Sequence, residues 1–248
     1  NAMLVETTDK PILIGRPDVI ARRAERAGLP IRPDRDFEIV NPENDARYRD
    51  YWGSYHELMA RRGVTPDLAR AILRTNTTAI GAIAVHRGDA DSLICGTFGQ
   101  YLWHLKYVTE VLGRDGLSPH GALSLMIMED GPLFIADTQV NPVPTPEQIA
   151  QSVLGAVRPA KRFGVTPKVA LCSHSNFGNL DTDSGRRMRD AMAILDAETR
   201  NFVYEGEMSI DAALDPELRA RMFPGARLDK AANILIFAYS DAANAARN

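Results

Sequence analysis

Short β-branched or apolar runs alternate along the chain with longer stretches in which apolar positions recur every three or four residues. The pattern begins at residues 11–15 (PILIG), followed by a helix entered through Pro17 in its first turn. Further strand-like runs fall at residues 37–40, 92–95, 123–128, 133–136, 168–172 and 234–238. Helical patterns fill most of the intervals. Thr65-Pro66, Thr145-Pro146 and Asp215-Pro216 each place a capping oxygen ahead of a proline at the first helical position, where the missing N–H costs no hydrogen bond. Parallel neighbours need a crossover, and helical crossovers cover the faces of a sheet. The alternation therefore predicts an α/β fold with mostly parallel sheets flanked by helices. Residues 114–121 (RDGLSPHG), rich in Gly, Pro, Ser and Asp, interrupt the pattern near its middle. They predict a first α/β lobe over residues 1–118 and a second over residues 119–248.

Composition narrows the function classes. The chain has 248 residues, enough to bury a substantial core, and a formal net charge of −3 with basic and acidic residues nearly balanced. Such a balance gives no polycationic field for nucleic acid or an anionic membrane. No apolar stretch approaches the roughly 18 to 20 residues of a spanning helix, and no basic region with an apolar core opens the chain. Cys95 and Cys172 each end an apolar run outside any CxxC pattern and read as reduced, buried thiols of a cytoplasmic protein. Asn1-Ala2-Met3 reads as a remnant of tag cleavage, which sets the expectation that the sequence begins partway through a longer protein.

In open parallel sheets, ligands sit beyond the carboxyl ends of the strands, so the loops leaving the strands are where chemistry is expected. Gly96-Thr97-Phe98-Gly99 leads into a helix carrying His104 and Lys106. It reads either as an anion cradle with Lys106 as countercharge or as a tight turn in which glycine relieves crowding. Ser173-His174-Ser175-Asn176-Phe177-Gly178-Asn179 is dense in donors and is followed by a helix opening with Arg186, Arg187 and Arg189. Those guanidinium groups suit phosphate or carboxylate. The alternative is a solvated surface helix capped by Asp181 or Asp183. Glu205-Gly206-Glu207 with Asp211 forms an acidic patch, read as acid/base or cation-binding groups or as exposed loop acids. Asp137-Thr138 and Ser240-Asp241 read as caps or turns.

Several motifs are absent: GxGxxG at a strand-to-helix junction, GxxxxGK[ST], GxSxG and HExxH. The five histidines, His56, His86, His104, His120 and His174, show no paired metal spacing, and His174 alone sits in a candidate loop. Trp52 and Trp103 read as core or interface aromatics. No metal site and no catalytic residue is assigned.

The segments DADSLICGTFGQYLWHLKYVTEVLG, KVALCSHSNFGNLDTDSGRRMRDA, EGEMSIDAAL and ANILIFAYSDAANAA resemble consecutive blocks of the phosphotransacetylase (phosphate acetyl/butyryl transferase) family. They are most similar to the version fused behind the catalytic part of bacterial NADP-dependent malic enzymes. The resemblance extends over nearly the whole chain. It implies a two-lobed fold of isocitrate/isopropylmalate dehydrogenase-like architecture, with a cleft between the lobes for acetyl-CoA or acetyl phosphate and assembly as a dimer or larger homo-oligomer. In the fused enzymes this part looks regulatory, lowering malate oxidation when acetyl-CoA accumulates. NADP and a divalent metal (Mg or Mn), with the conversion of malate to pyruvate and CO2, would then belong to a malic catalytic domain in cis, outside this chain.

Departures from the family pattern separate sensor from enzyme. Lys106 stands where the transferases carry a phosphate-holding arginine, keeping charge but losing the bidentate fork. Met59, in the segment HELMARRG, takes the place of a second arginine. The sequence stops at Asn248, ahead of the Ser-Arg and Asp segment with which the transferases continue. It also opens without the strand expected before Pro11, so the first lobe is expected to lack its opening strand and its C-terminal helix. Transferase chemistry needs a base for the CoA thiol and a cationic clamp for the developing negative charge, and neither is visible. The expectation is a regulatory domain with Thr97, Lys106, Ser173, Ser175, Asn176 and Gly178 facing acetyl-CoA or phosphate. The alternatives are an active phosphate acetyltransferase and an oligomerisation scaffold, the latter favoured if helix faces holding Trp52 or Trp103 prove exposed.

Overall fold

A computed structural model describes residues 9–113 and 121–248. The interruption expected at residues 114–121 lies outside the described residues up to His120. The chain divides into two compact units, one ending at residue 118 and one starting at residue 119.

The first unit is mainly helical. Strands β1 (Ile12–Ile14) and β2 (Glu38–Val40) pair in parallel, with Ile12 opposite Glu38, and helix α1 (Pro17–Arg26) lies between them in the chain. There follow α2 (Tyr48–Met59), a 3-10 turn (Ala60–Arg62), α3 (Pro66–Thr75), α4 (Thr77–Arg87) and α5 (Tyr101–Leu112). α4 is the centre of the unit: every residue from Thr78 through Ala84 is buried, among Tyr51, Tyr55, Leu73 and Val111. Its sequence, TTAIGAIA, lets partners approach closely. A Cβ on Gly81 would come within 2.5 Å of Leu93 Cδ1 and 3.2 Å of Ile14 Cδ1. Met59 is part of the same core.

Residues 92–95, expected as a strand, form none: in this unit, among the described residues, β1 and β2 are the only strands, beside an isolated bridge between Pro33 and Phe37. The run pairs with no strand among the described residues. Leu93 alone turns inward, while Ile94 is 81% exposed. Cys95, expected to be buried, is exposed for the same reason.

The second unit is built on a five-stranded sheet of order β3-β4-β7-β5-β6. Its elements are β3 (Ser124–Met128), β4 (Gly131–Ala136), α6 (Pro146–Arg162), β5 (Lys168–Cys172), α7 (Asp183–Asp196), β6 (Val203–Met208), α8 (Ile210–Leu214), α9 (Pro216–Met222), β7 (Ile234–Phe237) and α10 (Ser240–Arg247). β3 runs antiparallel to β4 and the other pairs are parallel, so the sheet is mixed. The reason is local, since Glu129 and Asp130 alone join β3 to β4, which suits a hairpin and is far too short for a crossover.

Residues on successive sides of each strand sort into two cores. Phe134, Val169, Leu171, Ile234 and Ile236 pack with α6 and α7 on one face, through Val153, Val157, Met188 and Leu195. Ile135, Ala170, Cys172, Leu235 and Phe237 pack on the other with Ala212 and Ala213 of α8 and Ala243 of α10. Burying each of the large aliphatic residues is worth about 1.5–3 kcal/mol relative to exposure. Burial also pushes the Cys172 thiol up to about 12. The chain leaves β5 into α7 on the first face and leaves β7 into α10 on the second, although β5 and β7 are neighbours. The proline-led caps form as the sequence predicts: Thr65 accepts from Leu68 N, Thr145 makes a capping box with Gln148, and Asp215 accepts from Glu217 N and Leu218 N. Among the described residues no helix is long and apolar enough to cross a membrane.

Candidate functional site

The candidate turn of the first unit is held from beneath. Gly96 and Gly99 have φ of 89° and 87°, a region that glycine enters without a Cβ penalty. The chain then enters α5 through Gln100, which provides no side-chain cap. His104, on the first turn of α5, is buried: its Nε2 donates to Phe98 O at 2.6 Å and its Nδ1 lies 2.7 Å from the Thr78 hydroxyl on α4. A carbonyl can only accept, so Nε2 carries the proton and, in the neutral ring, Nδ1 accepts from Thr78. A Cβ on Gly99 would come within 3.2 Å of His104 Nε2, which adds a packing reason for that glycine. The Trp103 ring meets His104 edge-on at 4.8 Å.

Thr97 is exposed on the turn, and Lys106, two residues after His104 and so about half a turn round α5, is 61% exposed. The Lys106 ammonium lies 3.8 Å from Glu110 Oε1, a loose ion pair, while Glu110 Oε2 accepts from the buried Tyr55 hydroxyl at 2.9 Å. Burial and this carboxylate push the Tyr55 phenol up.

The 173–180 loop of the second unit is tied by its own polar groups. Ser175 is fully buried; its hydroxyl donates to Asn179 Oδ1 and accepts from Leu180 N, both at 3.2 Å. Asn179 Oδ1 also accepts from Asn176 N at 2.8 Å. Asn176 Oδ1 in turn accepts from Ser209 N at 2.7 Å and from the Ser209 hydroxyl at 3.0 Å. The Ser173 hydroxyl accepts from Ser175 N and lies 3.2 Å from the Ser184 hydroxyl. Gly178, with φ of 84°, donates its N–H to Glu207 Oε1 at 2.8 Å. His174 is exposed.

Glu205-Gly206-Glu207, weighed as exposed loop acids, lies inside strand β6 with both carboxylates buried. Two charged residues flanking glycine look like loop chemistry, but here they face protein donors. Glu205 accepts from Arg227 N and from Gly206 N. Glu207 Oε1 accepts from Gly178 N and from Arg189 Nη1 at 2.9 Å, whereas Oε2 has no partner among the described residues. Gly206 is required by proximity, since a Cβ there would lie 2.7 Å from Leu171 O on β5. Engaged in this way, the acids are fixtures of the loop rather than a converging cation site.

The arginines of α7 part company. Arg186 is exposed and pairs with Asp181 and Asp183, Arg189 reaches the buried Glu207, and Arg187 turns to the carboxyl edge of the sheet. Neither Asp181 nor Asp183 caps the helix; Thr182 does, accepting from Gly185 N at 3.1 Å. At the same edge Asp137, after β4, accepts from Ala122 N, Gln139 N, Val140 N, Asn141 N and Asn141 Nδ2, which fixes the loop into α6.

Of the six residues expected to face a ligand, Ser173, Ser175, Asn176 and Gly178 thus share one loop of the second unit, and Thr97 and Lys106 belong to the first. The side chains of Ser175 and Asn176 are committed inward. Thr78, His104, Asn179 and Glu207 hold the two loops; in the sequence Thr78 carried no reading, His104 and Asn179 were noted only by position, and Glu207 was read as part of an acidic patch. The one available signal was position: His104 follows the glycine turn by a single helical turn, and Glu207 alternates with Glu205 as strand residues do.

Comparison with known proteins places these loops in a family. The pattern of the family described as "Phosphate acetyl/butaryl transferase" matches residues 1–247. A protein of Rhizobium meliloti described as NAD-dependent malic enzyme is 49% identical over 98% of this chain and 32% of its own length. The NADP-dependent malic enzyme of Escherichia coli is 45% identical over 96% of this chain and 32% of its own length. The chain therefore spans about a third of the length of the curated relatives it matches. The fold is like that of a phosphotransacetylase from Streptococcus pyogenes, with a TM-score of 0.88 at 23% identity, over 98% of this chain and 74% of that one.

Proposed function

The chain belongs to the phosphate acetyl/butaryl transferase family, and from that premise we propose that it is a regulatory module of a malic enzyme that binds acetyl-CoA without turning it over. The observation that carries this reading is Lys106: an exposed ammonium, held only loosely at 3.8 Å by Glu110, on the helix that follows a glycine turn. Such a cation attracts the phosphates of CoA as a point charge, without the planar fork that aligns a transferring phosphoryl or acyl group. Buried Met59 offers no second cation, and Ser175 and Asn176 are tied to their own backbone. The relatives lean the same way at the top of the range, where malic enzymes match at 45–49% identity, while below it malic enzymes at 30–31% and phosphate acetyltransferases at 29–30% overlap. On this reading malate oxidation, its nicotinamide cofactor and its divalent metal belong to a catalytic domain joined in cis, in a cytoplasmic homo-oligomer. A ligand that prefers one state of the module biases the domain attached to it.

Isothermal titration of acetyl-CoA, with an assay for acetyl transfer from acetyl phosphate to CoA on the same sample, tests the proposal. Binding without turnover is expected, with affinity reduced about threefold to tenfold in Lys106→Met, the order of one weakened charge contact. Turnover would move the chain to the transferases.

One observation favours an assembly role beside the sensing role. Ile94, Phe98, Tyr101, Leu102 and Trp103 are all exposed, Ile94 and Phe98 strongly so, just before the turn, on it and on the first turn of α5. A run of this kind is a candidate contact between copies. Light scattering of Leu102→Glu reads it: a shift to monomer supports assembly there, and an unchanged mass rejects it.

A further inference from the structure

We infer that the carboxyl edge of the sheet in the second unit holds an oxyanion site built on Arg187, suited to a phosphate group. The position follows from topology. β5 and β7 are neighbours, yet the chain leaves β5 into α7 on one face and leaves β7 into α10 on the other. The two loops diverge, and the opening between them is where open parallel sheets receive ligands.

Arg187 stands at that opening, half-buried. Its Nη2 donates to the Tyr239 hydroxyl at 2.8 Å, Nη1 faces Ala238 O at 3.3 Å and Pro144 O at 3.5 Å, and its guanidinium carbon lies 4.6 Å from the centre of the Tyr239 ring. These contacts account for three of the five donors of a guanidinium, two of them at long distance. The Nε–H and the second Nη2 hydrogen have no protein partner among the described residues. No carboxylate pairs with Arg187 among those residues either, whereas Arg186 and Arg189 on the same helix are both neutralised by acids. A half-buried cation with two donors left over is suited to the oxygens of a phosphate. Ser184, three residues earlier and so on the same side of α7, lies with its hydroxyl 3.2 Å from that of Ser173 at the end of β5, adding neutral donors nearby.

The existence of the site stands on this geometry; only the phosphate ester that fills it, acetyl-CoA or acetyl phosphate, rests on the sensing role proposed above. Arg187→Gln and Arg187→Lys, each checked for an unchanged melting temperature, are titrated with inorganic phosphate, acetyl phosphate and acetyl-CoA. The expected result is a loss of phosphate affinity of about tenfold or more in Arg187→Gln and a smaller loss in Arg187→Lys, which keeps the charge and loses the fork. Should Arg187→Gln melt early, Tyr239→Phe takes its place. It leaves the guanidinium in position with one more free donor, and phosphate binding equal to or tighter than the parent's is expected. Phosphate binding that is lost in Arg187→Gln while the parent ignores acetyl-CoA keeps the site and removes the sensing role. Acetyl-CoA and phosphate bound equally by parent and Arg187→Gln keep the sensing role and overturn the site. Failure of the parent to bind inorganic phosphate and both esters overturns both.

Discussion

The two candidate loops are built on opposite plans. The 96–99 turn hangs on one buried imidazole, which ties it to α4 through a single hydroxyl. The 173–180 loop is anchored at many points: Ser173 N and Phe177 N donate to β6 carbonyls, Gly178 N reaches Glu207, and Asn176 holds the start of α8. The contrast bears on how each loop opens. A segment with one tie opens by a local event while the unit around it stays folded, whereas a loop woven into the sheet opens only with the sheet. Local opening therefore belongs to the first unit's turn, and fixed geometry to the second unit's loop.

The sharpest way to break the contrast is Gly206→Ala. Its Cβ would press on Leu171 O, part β6 from β5 and withdraw Glu207 from the loop, with an expected loss of about 3 kcal/mol in urea unfolding. Glu207→Leu leaves Gly178 N and Arg189 without their acceptor. Because Arg189 is partly exposed and can regain water, the expected cost is about 2 kcal/mol, with Glu207→Gln recovering part of it. Asn176→Ala removes the acceptor of two Ser209 donors, and a loss of about 1.5 kcal/mol is expected in the same measurement. Thr78→Val, which keeps shape and removes the hydroxyl, is expected to cost about 1 kcal/mol. Its larger effect is local: hydrogen exchange should quicken at residues 96–99 while α4 stays protected, and Thr78→Ser should restore the parent rate. Equal quickening across the first unit would show that the turn has no independent opening. Lys106→Met should leave stability within about 0.5 kcal/mol, since its ion pair is exposed.

What the sequence disclosed, and what it hid, follows the range of the interactions. The caps at Thr65, Thr145 and Asp215 were legible because capping takes place within three residues of chain. Strands β4, β5 and β7 were legible as apolar runs bounded by turns. β6 was missed because two acids and a glycine hide a strand whose charges are met by Gly178, Arg189 and Arg227, residues far from it in the chain. Residues 92–95 misled for the converse reason, since apolar composition alone does not pair a run into a sheet. The donor-rich 173–179 loop announced itself by composition. Whether its donors face a ligand or one another depends on Asn179 and Ser209, and no local pattern carries that. His104 read as a lone helix histidine, and its partner Thr78 lies 26 residues away.

The two cysteines turn this architecture into a pair of clocks. Cys95 is exposed immediately before Gly96, while Cys172 is enclosed at the end of β5 with its thiol pushed up to about 12. A maleimide added to the native protein should therefore mark the first unit's turn alone, at a rate that follows the state of that turn. Modification of Cys172 would await disruption of the central sheet, so one reagent times the rearrangement of the turn and the unfolding of the sheet within a single chain.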